Sequence, residues 1–70
     1  MEEGIKEIRF GENLKRLRKG LNLTQNGLAS LLSVDQRTIS AWENGVCEPD
    51  FKTLLRLLEI FSVDLNGLLL

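Results

Sequence analysis

Between Gln36 and Asn44 the chain carries hydrogen-bonding side chains at a spacing that suits a helix. With Gln36 at zero and about 100° added per residue, Arg37, Ser40, Ala41 and Asn44 fall in the arc from there to about 140°, while Ile39 and Trp42, at about 300° and about 240°, lie on the side away from the middle of that arc. One face is polar or small, with a single arginine at its N-terminal end; the other is heavy and apolar, which assigns Trp42 to a core. On an arbitrary amphipathic helix such a polar face is solvated surface. The residue types here point further. A glutamine amide matches the major-groove edge of adenine, a guanidinium matches that of guanine, and small side chains let a helix sit deep in the groove. Most other chemistry is closed to this chain. It has no histidine and one cysteine, Cys47, so Ser-His and Cys-His nucleophiles, a zinc site with its full ligand set, and an intrachain disulfide are all excluded. Nothing basic adjoins Cys47 to activate its thiol, which reads as inert. Glu2 and Glu3 lie next to the terminus with no pocket to perturb them and read as solvated charge. No enzyme, metal or cofactor is expected.

A reading helix needs elements that fix its angle, and the sequence marks them. Asp35 is an N-cap and Gly45 a C-terminal stop for a helix over 35–44. Thr24 caps a helix over 24–32 whose apolar residues are Leu28, Ala29, Leu31 and Leu32. Ser33 and Val34 join the two tightly, which makes a helix-turn-helix unit. Upstream, Phe10, Leu14, Leu17 and Leu21 form the stripe of an amphipathic helix over 10–20, with Lys15, Arg16, Arg18 and Lys19 between them. It stops at Gly20-Leu21-Asn22, where Gly and Asn accept a left-handed conformation. Asp50 caps a helix over 50–61 carrying Phe51, Leu54, Leu57, Leu58 and Phe61, and Asp64 caps a short one over 64–69. The fold class expected is all-α: a five-helix domain over 10–70 behind an N-terminal extension, 1–9. In that extension Ile5 and Ile8 have helical spacing and Ile8 and Phe10 alternate as in a strand, so both conformations stay open.

Seventy residues make one small domain, which needs strong helix packing or a partner to be stable. At 43% hydrophobic and 27% charged, the composition is that of a soluble globular protein. There is no apolar run long enough for a membrane span and no signal-peptide layout, so a cytoplasmic protein without membrane contact is expected. A net charge of −1 argues against a nucleic-acid partner only as a total. Its distribution is uneven: residues 9–20 carry +4 and residues 43–70 carry −3. A basic first helix beside the polar face is compatible with DNA.

The stretch from Phe10 to Leu69 resembles the Cro/repressor-type helix-turn-helix family, the XRE-type regulators. The resemblance rests on Leu14-Lys15-Arg16-Leu17-Arg18, on Leu23-Thr24-Gln25-x-x-Leu28-Ala29, and on Val34-Asp35-x-x-Thr38-Ile39-Ser40-x-Trp42-Glu43-Asn44-Gly45. Pro49, Leu54 and the ending Val63-Asp64-Leu65…Leu68-Leu69 continue it in register. It implies a double-stranded DNA-binding transcriptional regulator, a repressor acting as a homodimer on a palindromic operator. Gln36, Arg37, Ser40 and Ala41 would read bases. Gln25, Thr38, Asn44, Lys15 and Lys19 would contact phosphates. Arg18 and Glu43 would form an ion pair that orients the reading helix. The C-terminal Leu65, Leu68 and Leu69 are the dimer-interface candidates, a reading favoured over a frayed end or a longer parent chain because symmetric DNA asks for a two-fold partner. Two departures stand out. Gly27 replaces an acidic helix former, at up to about 1 kcal/mol of propensity, and the loop Val46-Cys47-Glu48 lacks the basic residues relatives place against phosphates, which implies modest affinity. The alternative is an antitoxin or adaptor-type protein-interaction module on the same fold. No small-molecule ligand is implied.

Overall fold

The computed structural model describes residues 8–70, and in them the chain forms α1 (Phe10–Gly20), α2 (Gln25–Leu32), α3 (Gln36–Glu43), α4 (Phe51–Phe61) and α5 (Leu65–Leu69). There is no strand among the described residues. Glu2, Glu3, Ile5 and most of the expected extension lie outside them. Four of the five helix starts are the caps that the sequence marks. Thr24 Oγ1 accepts from the Gly27 N–H at 2.9 Å, Asp35 Oδ1 from Arg37 at 2.8 Å, and Asp50 and Asp64 from Thr53 and Gly67 at 2.9 Å each. Each satisfies a backbone donor that the helix leaves unpaired.

The helix ends share one device. Asn22, Ser33, Gly45 and Ser62 take positive φ, and the next residue donates its N–H back into the last turn: Leu23 to Arg18, Val34 to Ala29, Val46 to Ala41 and Val63 to Leu58. This is the Schellman closure, and its accompanying apolar residue packs on the core at Leu23, Val34 and Val63. At the end of α1 the left-handed residue is Asn22, not Gly20.

The buried core draws on every helix, and Leu14, Leu28, Ile39, Leu57 and Leu68 are wholly inaccessible. Trp42 is buried as its place opposite the polar face requires. Leu21, Leu31 and Phe51, assigned to apolar stripes above, are exposed. Each sits at or next to a helix terminus, where the stripe runs off the core. The fully buried Leu68 also corrects the reading of the C-terminus. Its side chain fills its own protomer's core and presents nothing to a partner. Two bonds to α5 carbonyls keep it there: Asn13 Nδ2 donates to Leu68 O at 3.0 Å and the Arg9 N–H to Leu69 O at 2.7 Å. A helix of five residues has little stability of its own, so tertiary bonds of this kind hold it in place.

Gly11 decides the angle between α1 and α3. A Cβ at that position would stand 2.6 Å from Glu43 O and 2.8 Å from Trp42 O. The first turn of α1 therefore crosses the C-terminal end of α3 in backbone contact, which only glycine permits.

Candidate nucleic-acid interface

The N-termini of α2 and α3 lie side by side, joined through a chain of four side chains. Arg18, on α1, donates from Nε to Glu43 Oε2 at 2.6 Å and from Nη2 to Oε1 at 3.2 Å; its Nη1 donates to Leu23 O at 2.7 Å. Gln25 Nε2 donates to Glu43 Oε1 at 3.0 Å, and Gln36 Nε2 donates in turn to Gln25 Oε1 at 2.5 Å. The direction of this chain follows from charge. An ionised carboxylate only accepts, so Gln25 must turn its amide nitrogen toward Glu43. That leaves the Gln25 carbonyl facing Gln36, which must answer with its own nitrogen. Gln36 thus keeps its Oε1 and its second amide hydrogen for other partners, a donor and an acceptor side by side. This is the pattern that matches adenine N6 and N7.

The Arg18–Glu43 pair is buried, with side chains 8% and 3% exposed. Burial works against the Glu43 charge, but hydrogen bonds from Arg18 and Gln25 and the charges of Arg18 and Lys15 outweigh it, and its carboxyl sits below the ordinary range. A bidentate pair closed by further hydrogen bonds belongs to the class whose removal by halves is damaging.

The remaining residues of the polar face sit as follows. Arg37 projects from the first turn of α3 and its Nε donates to Asp35 Oδ1 at 3.2 Å. Thr38, Ser40 and Ala41 are half-buried, and Asn44 Nδ2 donates to Ser40 Oγ at 3.3 Å at the far end of the helix. Lys15 and Lys19 are exposed on α1, as are Val46, Cys47 and Glu48 in the loop after α3. Of the C-terminal leucines, Leu65 and Leu70 are exposed and Leu69 is half-buried. No group of three metal-ligating side chains occurs among the described residues, and no helix there is long and apolar enough to cross a membrane.

Three contributors escape a reading of the sequence. Gly11 sets the helix crossing through a contact remote in sequence. Asn13 reads as a polar gap in a helix until Leu68 is in place. The Gln25–Gln36 bond needs two helix starts to be adjacent, which the short connection hints at but does not specify.

The profile of a family described as "Helix-turn-helix domain" matches residues 11–70. The chain is 43% identical over 60 residues to the uncharacterized HTH-type transcriptional regulator YqaE of Bacillus subtilis, covering 86% of this chain and 52% of that protein. It is 42% identical over 62 residues to the HTH-type transcriptional activator BcrR of Enterococcus faecalis, covering 89% of this chain and 30% of that protein. This chain therefore spans about half or less of these relatives. Among solved structures, a transcriptional regulator from Listeria innocua superposes with a TM-score of 0.85 at 34% identity, over 91% of this chain and 60% of that one. With the helix order, the capped turn between α2 and α3 and the family profile in agreement, the chain belongs to the Cro/repressor-type helix-turn-helix regulators.

Proposed function

We propose that this domain binds duplex DNA sequence-specifically, with α3 in the major groove and the first turn of α2 against the backbone. The observation that carries the reading is the locked chain from Arg18 to Gln36, which fixes the polarity of the Gln36 amide beside an outward-facing Arg37. A solvated helix face gains nothing from such an arrangement; a base-reading one gains a preorganised donor–acceptor pair. Gln36, Arg37, Ser40 and Ala41 face base edges. Thr38 and Asn44, at the two ends of α3, join Gln25, Lys15 and Lys19 in contacting phosphates.

A two-fold partner supplies the second half-site. The exposed Leu65 and Leu70 with the half-buried Leu69 form the dimer surface, Leu68 being spent on the core. The domain acts most simply as a repressor that occupies its operator. The relative BcrR is named an activator, so a reporter assay separates the two: loss of this protein raises expression under repression and lowers it under activation. Selection of bound sequences from random duplexes tests the core proposal. An enriched palindrome with half-site centres about one helical turn apart is expected; no enriched motif at low salt overturns it. The adaptor alternative draws support from Phe51, 70% exposed on α4, and from the −3 charge of residues 43–70; it is the reading left if selection fails.

A further inference from the structure

We infer that Asp35 is a specificity-determining residue: its carboxylate grips Arg37 side-on, aims the guanidinium at one guanine, and weakens the hold of Arg37 on phosphates. The inference rests on the proposed entry of α3 into the major groove.

Its basis is one oxygen with two tasks. Asp35 Oδ1 accepts from the Arg37 backbone N–H at 2.8 Å and from Arg37 Nε at 3.2 Å. The first bond ties the carboxylate to the axis of α3, so it is not a freely swinging side chain. The second passes that constraint to the guanidinium, which is otherwise 88% exposed and would sample many rotamers. The bond also selects which donors remain. An arginine has five N–H groups in a fixed fork; with Nε committed to Asp35, the four on Nη1 and Nη2 are left for other partners. One N–H from each of these nitrogens forms the terminal edge of the fork, a donor pair that fits guanine O6 and N7.

The choice of aspartate matters because the cap alone does not require it. Serine, threonine or asparagine satisfies a helix N-terminus about as well, as Thr24 does on α2. Only a carboxylate adds a charged acceptor for Arg37. The hydrogen bonds and charge of Arg37 hold the Asp35 carboxyl below the ordinary range, so it is ionised throughout the neutral region. A negative charge at the groove-facing end of α3 also repels phosphates, which penalises binding in any register where Arg37 lacks its guanine.

The test compares wild type, Arg37→Ala, Asp35→Asn and the double variant on the duplex recovered by selection, on versions substituted at each base pair, and on a random duplex. Asp35→Asn keeps the cap, and its thermal unfolding should match wild type. Arg37→Ala should flatten the preference at one base pair. Asp35→Asn should lower the guanine preference at that same pair about fivefold, from the loss of one charge-assisted bond, while leaving other pairs unchanged and tightening binding to the random duplex. In the Arg37→Ala background, Asp35→Asn should no longer affect base preference. If Arg37→Ala flattens one pair and Asp35→Asn leaves that preference intact, the role of Asp35 is overturned and the reading of Arg37 stands. If Arg37→Ala alters no pair, the base-reading role of Arg37 falls and takes this inference with it.

Discussion

Removing the Arg18–Glu43 pair whole, rather than by halves, separates what it does for folding from what it does for recognition. A domain of this length has about 4–10 kcal/mol of stability in total. Glu43→Ala leaves a guanidinium only 8% exposed with no counter-charge and a single remaining acceptor, Leu23 O. Breaking a buried pair in this way costs about 3–5 kcal/mol, enough to unfold much of the population at the lower end of that range. The combined variant Arg18→Met/Glu43→Leu replaces both charges with apolar groups, and its stability should return to within about 1–2 kcal/mol of wild type. Recognition should not return with it. Gln25 loses the acceptor that fixed its amide, and Gln36 loses its enforced polarity, so the adenine preference at its base pair should fall by about 1–3 kcal/mol, the worth of a bidentate match. Urea unfolding followed by fluorescence of the buried Trp42 gives the first quantity, and binding to base-substituted duplexes gives the second. A combined variant that is folded and keeps full adenine preference refutes the argument that carboxylate charge sets the Gln36 orientation. A Glu43→Ala protein as stable as wild type refutes the energetic premise.

Gly11→Ala should destabilise the domain by about 1–3 kcal/mol or more, since the new Cβ meets two backbone carbonyls within 3 Å; an unchanged urea midpoint contradicts the close crossing of α1 and α3. Leu68→Ala should cost about 2–5 kcal/mol as a core truncation. Leu65→Glu, at a side chain 43% exposed, should leave the unfolding of the protomer intact while shifting sedimentation toward monomer; an unshifted dimer places the interface elsewhere. The Glu43 carboxyl is held below its ordinary value of 4.5, so it contributes stability that is complete above that value and is lost as pH falls through the lower folded value. Acid unfolding of wild type should therefore steepen below about pH 4.5 relative to Arg18→Met/Glu43→Leu, and parallel acid limbs contradict the shift.

What was legible in the chain was local. The four side-chain caps bond to a backbone N–H two or three residues on, so a polar residue ahead of an apolar run carried all the information needed. The helix ends were only half legible. Asn22 and Gly45 are residue types that accept positive φ, whereas Ser33 and Ser62 give no such sign; the valine after each, closing the turn onto the core, is the clue that composition hides. Gly11 was illegible because its requirement comes from the backbone of Trp42 and Glu43, and in sequence it reads only as a weak helix former. The C-terminal leucines show the same limit. Leu65, Leu68 and Leu69 are equally apolar, and α5 is too short for periodicity to rank them. Asn13, more than fifty residues away, holds the carbonyl of the one that is buried.

The same network changes what the charge of the first helix can do. Residues 9–20 carry +4, but Arg18 is turned inward onto Glu43 and Arg16 Nη2 reaches Asn13 Oδ1. Arg16 stays exposed beside Lys15 and Lys19 on α1, and Arg37 on α3 is bonded to Asp35. Strong affinity for DNA in general comes from neutralising many phosphates, and this surface commits two of its guanidiniums to carboxylates instead. Those commitments hold Gln36 and Arg37 in defined directions at the expense of indiscriminate attraction. In the proposed complex, discrimination between bases then rests on orientation fixed before binding, and a second protomer restores the affinity that charge does not supply.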